Sequence, residues 1–174
     1  PVACVHRRAM YPWAEMSDGS SLMFHFRLTG KIVLEEHPVA RFARLSWWIP
    51  EVGWLTFKDP RRLGEMIVFP EGRVLEHKSL KTMGPEPHDV TVEGLRAKMK
   101  GRRRLKDLLL DQTVVAGVGN IAICELFWRL KIPPEIRAPE VTDAQIAGLV
   151  EEMPRFFDWL IEDQQDDEII YLGE

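Results

Sequence analysis

The stretch Arg102 to Ile132 decides the fold: Arg-Arg-Arg-Leu-Lys-Asp-Leu-Leu-Leu-Asp-Gln-Thr-Val-Val-Ala-Gly-Val-Gly-Asn-Ile-Ala-Ile-Cys-Glu-Leu-Phe-Trp-Arg-Leu-Lys-Ile. Leu105, Leu108 and Leu109 stand at i, i+3 and i+4, so its first third reads as an amphipathic helix with the basic residues on the other side. The β-branched Thr113, Val114 and Val115, followed by Gly117 and Gly119, end that helix soon after Gln112. A second helix is expected from near Asn120 through Ile121, Cys124, Trp128 and Ile132, with Ile123, Phe127 and Leu130 beside that row. Apolar on most sides, it is expected to be buried. A glycine turn between two helices leaves free amides at the second helix's N-terminus, and such a tip binds anions, DNA phosphate among them. Taken alone, the string is better read as a glycine turn between two core helices.

Working outward, seven of the eleven residues from Arg96 to Lys106 are basic. Such a run is either a solvated helix face or, leading into a helix-turn element, a phosphate-facing one. The chain as a whole carries a net charge of −4, which speaks against a nucleic-acid binder. The acids are concentrated, however. Six lie between Glu162 and Glu174 with no base among them, and residues 1–161 hold 23 bases against 21 acids.

Upstream the periodicity changes from helical to alternating. Strands are expected at 1–8, 22–26, 65–69 and 73–77, and a hairpin at 40–48 and 54–58 closed by Pro50-Glu51-Val52-Gly53. In the 22–26 strand Leu22, Phe24 and Phe26 point one way and Met23 and His25 the other, while Leu28 sits at a turn where it could project outward. Pro12 is expected to interrupt its strand. Trp47, Trp48, Trp54 and Phe57 are read as sandwich core or sheet face in preference to a base-stacking platform. Met83-Gly84-Pro85-Glu86-Pro87 reads as a rigid linker. It divides a partial N-terminal antiparallel β-sandwich (1–84) from a helical domain (85–174), an α+β chain. Thr91 can cap a helix to about Lys100, Thr142 and Gln145 form a capping box for the last helix, and Pro154 is expected to kink or restart it.

The 174 residues, 45% of them apolar, suffice for one domain or two small ones. No apolar run approaches the roughly 18 residues of a membrane helix, and no leader is visible, so a cytoplasmic protein is expected. Cys4 and Cys124 have no metal spacing and are expected to be reduced and buried.

Lys106-x-x-Leu109-Leu110-Asp111-Gln112 followed by Val115-Ala116-Gly117-Val118-Gly119-Asn120-Ile121 and Glu125 closely resembles the helix-two-turns-helix signature of the formamidopyrimidine and endonuclease VIII family of DNA glycosylases. Three more segments resemble that family in the same order. Phe24-His25-Phe26-Arg27-Leu28-Thr29-Gly30 is similar to its His-Leu-Gly-Met-Thr-Gly loop, Asp59-Pro60-Arg61-Arg62-Leu63-Gly64 to its Asp-Pro-Arg-Arg-Phe-Gly loop, and Met83 to Pro87 to its Leu-Gly-Pro-Glu-Pro linker.

The resemblance implies base-excision repair, with damaged double-stranded DNA as the partner and DNA glycosylase and abasic-site lyase as the activities. A base flipped out of the duplex leaves a hole that something must fill. Leu28, Arg61 and Leu63 match the residues that fill it, the two leucines being smaller than the methionine and phenylalanine common there. The plainer reading makes both leucines loop anchors. His25, Arg61, Lys106, Gly119 and Asn120 match DNA-contacting positions, and their donor groups suit phosphate oxygens. Equally, they could be a satisfied strand histidine, a solvated lysine and helix-capping residues.

The family's chemistry uses an N-terminal proline amine beside a glutamate. Here Pro1 is followed by Val2-Ala3-Cys4-Val5, and the alignment through His6-Arg7-Arg8 places it well downstream of the family's start. Arg8-Ala9-Met10-Tyr11 stands where the family has Arg-Gly-Lys-Tyr. No catalytic residue is therefore assigned. No cysteine follows Cys124, so the family's four-cysteine zinc finger is not expected and neither is any cofactor. Two other classes stay open: a non-catalytic DNA-binding remnant, and an interaction scaffold that dimerises through exposed sheet edges.

Overall fold

The structure is a computed structural model that describes residues 1–37 and 41–163. Most of the acidic stretch that begins at Glu162 falls outside those residues. Backbone contacts divide the chain into two units, Pro1–His77 and Lys78–Glu174.

The first unit holds two antiparallel sheets. One is ordered β1-β2-β3-β7, from Val2–Arg8, Tyr11–Met16, Ser21–His25 and Glu65–Phe69; the other is ordered β4-β6-β5, from Lys31–Glu35, Gly53–Lys58 and Ala43–Ile49. Aromatic rings join them. Phe24 of β3 meets Phe57 of β6 edge-on at 5.9 Å and stacks on Trp47 of β5 at 6.1 Å. Trp47 is thus sheet packing, as the sequence suggested, while Trp48 and Trp54 meet edge-on at 5.8 Å on the opposite face of the same sheet.

Both faces of β3 are occupied. Phe24 and Met23 are each buried, although alternation alone would leave one side wet. The reason lies at residues 73–77, which are not the expected strand. Val74–Glu76 form a single 3-10 turn, and His77 packs against Tyr11 at 5.7 Å and Phe69 at 6.0 Å, covering the Met23 side of the sheet. Pro12 does not break its strand either. The β2–β3 ladder starts one residue later, at Trp13↔Met23, so the missing N–H removes no bond from it.

The second unit contains α1 (Lys78–Thr82), α2 (Val92–Lys98), α3 (Leu105–Leu109), α4 (Asn120–Arg129) and α5 (Asp143–Asp163). Its core joins Leu105, Leu108 and Leu109 of α3 to Ile123 and Leu126 of α4 and to Ile146, Leu149 and Met153 of α5. Each such side chain contributes about 1.5–3 kcal/mol by leaving water. Thr91 Oγ1 accepts the Gly94 amide at 3.0 Å, and the Thr142 and Gln145 pair forms the anticipated reciprocal cap. Helix α5 does not restart at Pro154 but runs through it.

The linker belongs to this unit, which is why the chain divides before residue 84 rather than at it. The Gly84 amide donates to the Gln112 carbonyl at 2.9 Å, and the Ala116 amide to the Pro85 carbonyl at 2.8 Å. A Cβ on Gly84 would lie 2.7 Å from the Val114 carbonyl oxygen, so only glycine allows this approach.

Candidate nucleic-acid interface

In the first unit two loops carry the residues singled out from sequence. The first follows β3. Phe26 accepts the Gly30 amide at 2.9 Å, and Arg27 takes a left-handed φ of 55°. This tight turn puts Leu28 at its apex, 73% exposed. The second follows β6 from Asp59 to Gly64, with Arg62 at a φ of 58° and with Arg61 and Leu63 exposed. Leu28 and Leu63 are therefore not loop anchors in this structure, since neither is buried.

Asp59 holds the two loops together. It is only 1% exposed. Its Oδ1 accepts the Thr29 hydroxyl at 2.5 Å and its Oδ2 the Gly64 amide at 2.7 Å. The Arg61 amide in turn donates to Thr29 Oγ1 at 3.4 Å. From β5, Arg44 places Nε and Nη2 at 2.9 and 2.6 Å from the Asp59 carbonyl oxygen. The Thr29 hydroxyl first, then the Gly64 amide, hold the Asp59 carboxyl below the usual carboxylate range. Gly30 and Gly64 both lie on the Phe57 ring, where a Cβ would come within 3.1 and 2.8 Å.

His25 ends β3 at the root of the first loop. Its ring is 4.5 Å from that of Tyr11, and its Nδ1 accepts the Arg27 amide at 3.3 Å. Burial first, and then the neighbouring Arg27 charge, push its pKa below the ordinary value, so the imidazole is neutral at pH 7. An exposed ion pair at 2.6 Å also ties Arg27 of the first loop to Glu65, the first residue of β7.

In the second unit the turn between α3 and α4 is held by Gln112, a residue of the helix-two-turns-helix motif to which sequence reasoning assigned no role. The Gln112 side-chain amide donates to the carbonyls of Leu110 (3.1 Å) and Val118 (3.0 Å), and its oxygen accepts the Gly117 amide at 2.8 Å. Gly117 has a left-handed φ of 86°. Gly119 is the N-cap of α4 in extended conformation, with no side chain capping it and no acid in the first turn of the helix. No carboxylate of the helix's own first turn meets the amides at this tip, and Asn120 is exposed beside them.

Helix α4 is not buried all round. Ala122, Ile123, Leu126 and Phe127 face the core, whereas Ile121, Cys124 and Trp128 are exposed, Trp128 to 65%. Both cysteines are free and both are exposed, contrary to the expected burial. Lys106 reaches this outer row, its Nζ 3.6 Å from Cys124 Sγ, one turn along α4 from Asn120. It borders a surface cavity of about 420 Å³ floored by Phe127 and Pro133, with Lys131 lying 4.2 Å above the Trp128 ring.

Three of the seven basic residues of the run are engaged in ion pairs within the protein. Arg96 pairs with Asp143, Arg103 with Asp111 at 3.1 Å, and Arg104 with Asp107 at 2.8 Å. Such exposed pairs contribute little to stability but lower the charge free to meet phosphate.

Leu28, Arg61, Leu63 and His25 are therefore gathered in the first unit, and Lys106, Gly119 and Asn120 in the second. Among the described residues no three His, Cys, Asp or Glu side chains gather as a metal site requires, and no counterpart of a four-cysteine zinc finger is found there. No helix of the described residues is long and apolar enough to cross a membrane.

Residues 1–66 match the formamidopyrimidine-DNA glycosylase N-terminal domain and residues 83–168 the formamidopyrimidine-DNA glycosylase H2TH domain. The formamidopyrimidine-DNA glycosylase of Desulforamulus reducens is 38% identical over 148 residues, covering 82% of this chain and 53% of its own, and that of Ruegeria pomeroyi 33% identical over 159 residues, covering 84% and 56%. The chain thus spans about half the length of the curated relatives it matches. Among solved structures, the Lactococcus lactis enzyme non-covalently bound to DNA with an abasic site aligns at a TM-score of 0.83 and 30% identity, covering 92% of this chain and 64% of that one. The Thermus thermophilus protein aligns at 0.81 and 30%, covering 92% and 60%. With both domain models matched in order over most of its length, the chain belongs to the formamidopyrimidine-DNA glycosylase family.

Proposed function

We propose that this chain binds duplex DNA at a lesion or gap in the base stack, with Leu28, Arg61 and Leu63 filling the gap. Lys106, Gly119, Asn120 and His25 meet the phosphates. One observation carries the reading: Leu28 is held 73% exposed on a loop fixed by a buried carboxylate. A large apolar side chain kept rigidly in water does nothing for folding, whereas a hole in a base stack is an apolar site of suitable kind. Arg61 adds a guanidinium that can hydrogen-bond the orphaned base. The uncapped amides of α4 and the Asn120 side chain suit phosphate oxygens. Structural relatives crystallised on DNA containing an abasic site or a formamidopyrimidine lesion add weight to damaged DNA as the partner.

Binding to a duplex with a single abasic site tests this. The wild-type chain is expected to prefer it to an intact duplex, with affinity falling as salt rises. Arg61→Ala is expected to abolish most of the preference, and Asn120→Ala to weaken both duplexes alike. Equal binding of the two duplexes by wild type overturns the proposal. Base excision lies outside it, because no nucleophile is assigned. Borohydride reduction on the abasic duplex separates the two cases: a trapped covalent adduct requires a usable amine, and binding without one leaves the DNA-binding reading.

One further feature favours interaction with protein. Strand β1 lies at a sheet edge and exposes Val2 and Val5, as a strand-pairing surface does. Concentration-dependent dimerisation without DNA affinity would establish that reading in place of the first.

A further inference from the structure

We propose that Thr29 and Asp59 are positioning residues that lock the two loops into one body, so that Leu28, Arg61 and Leu63 enter the stack gap together. The inference rests on the DNA-binding reading above and deepens it. The loops are far apart in sequence: the first joins β3 to β4 and the second β6 to β7, so each crosses from one sheet to the other, with His25↔Glu65 and Lys31↔Lys58 paired at their roots. Between them runs one continuous chain of bonds: Arg61 amide to Thr29 hydroxyl, Thr29 hydroxyl to Asp59 carboxylate, and Gly64 amide to the other oxygen of that carboxylate. Thr29 both accepts and donates, so its side chain is bonded to the Arg61 amide and to the Asp59 carboxylate at once.

Arg44 fixes the anchor from outside, through the Asp59 carbonyl. Beneath, both glycines rest on Phe57 with no room for a side chain. Two loops that moved independently would each lose conformational freedom on insertion, and a coupled pair has lost it before DNA arrives. The Arg27–Glu65 pair links the first loop to the start of β7, just past the second loop, but lies in solvent, so it should couple them weakly.

The test compares Thr29→Val, which keeps the shape and removes the hydroxyl, with Thr29→Ser, which keeps the hydroxyl, and with Arg27→Ala as a control. Amide hydrogen exchange at Arg61 and Gly64 is read in the free protein. Preference for an abasic over an intact duplex is read in parallel, with 2-aminopurine opposite the gap as the signal of insertion. In Thr29→Val both amides are expected to exchange about tenfold faster, and the preference to fall about tenfold. Affinity for intact duplex and its salt dependence should hold.

Thr29→Ser should restore wild-type behaviour, and Arg27→Ala should shift neither readout by more than about twofold. Asp59→Asn, which keeps one acceptor oxygen, is the second route should Thr29→Val not fold. Unchanged exchange in the folded variant overturns the coupling, and faster exchange with full preference overturns the positioning role. Absence of any gap preference in wild type is a different result: it removes the DNA reading itself.

Discussion

The Thr29–Asp59 loop pair and the α3–α4 turn solve the same problem with different chemistry. Each is an irregular stretch whose backbone groups lack a ladder or helix partner, and each is closed by one polar side chain. In the loop pair the groups to be satisfied are donors, the Thr29 hydroxyl and the Gly64 amide, so a carboxylate suffices. In the α3–α4 turn they are two carbonyls and one amide, which require a donor and an acceptor together, and Gln112 supplies both. The first closure is charged and therefore sensitive to pH; the second is neutral and is not.

Replacing the amide should have the largest effect. Gln112→Ala leaves the Leu110 and Val118 carbonyls and the Gly117 amide without their partner in a half-buried turn, and the second unit is expected to lose about 2–4 kcal/mol, read by denaturant unfolding. Gln112→Glu keeps the shape but sets carboxylate oxygens against two carbonyls, so it should be at least as harmful near neutral pH. A variant as stable as wild type would show that the turn is held by its neighbours' packing alone.

Acid should separate the two regions next. The folded-state pKa of Asp59 lies below the ordinary 3.8 because of Thr29 and then Gly64. Its stabilising contribution is fully present above that value and is lost as pH falls through the folded pKa. Proteolysis or hydrogen exchange at the Arg61–Gly64 loop should therefore rise below about pH 3.8, and in Asp59→Asn it should be elevated at all pH with little further change. Asp111, lowered by Thr113, follows the same sign beside Gln112, so the signature to look for is persistence of the Gly117 amide's protection when that of Gly64 is lost.

Leu28→Ala and Leu63→Ala should discriminate in another way. Both side chains are exposed, so stability should stay within about 0.5 kcal/mol of wild type, while preference for an abasic duplex should fall about tenfold for Leu28, the more exposed of the two. A large loss of stability instead would make these leucines packing residues after all.

How much of this was legible in the sequence depended on the range of the interaction involved. The outward Leu28 could be read from a strand ending in Arg27-Leu28-Thr29-Gly30, since a turn apex is local. Asp59 could be placed in a loop but not recognised as its anchor, because its partner Thr29 lies in another loop, 30 residues away in sequence. The exposure of Ile121, Cys124 and Trp128 was missed for a related reason. Helix α4 carries a second apolar row, Ala122, Ile123, Leu126 and Phe127, and periodicity does not say which of two apolar rows meets the core. The 3-10 turn at Val74–Glu76 was not separable from a strand, because Arg73-Val74-Leu75-Glu76-His77 is too short to show a period and looks the same when it lids a sheet as when it extends one. Gln112 stood in the quoted motif, but its role was not legible, because its partners Val118 and Gly117 meet it only once the turn has closed.

His25 offers the smallest and most diagnostic effect. Its imidazole faces the Tyr11 ring, Arg27, Glu65 and His77, and burial with the Arg27 charge sets its folded pKa below the ordinary 6.5. As pH falls through 6.5 the unfolded chain binds the proton first, so the first unit loses stability until the pH passes the folded value. A phosphate beside the ring acts in the opposite sense, because it stabilises the imidazolium. If His25 contacts DNA, affinity should therefore rise about threefold between about pH 7.5 and about pH 5.5 while thermal stability declines. His25→Gln should flatten the affinity profile and remove this part of the stability loss. Affinity and stability falling together with acid in wild type would mean that the imidazole serves the β3 terminus alone, leaving phosphate contact to the α4 tip.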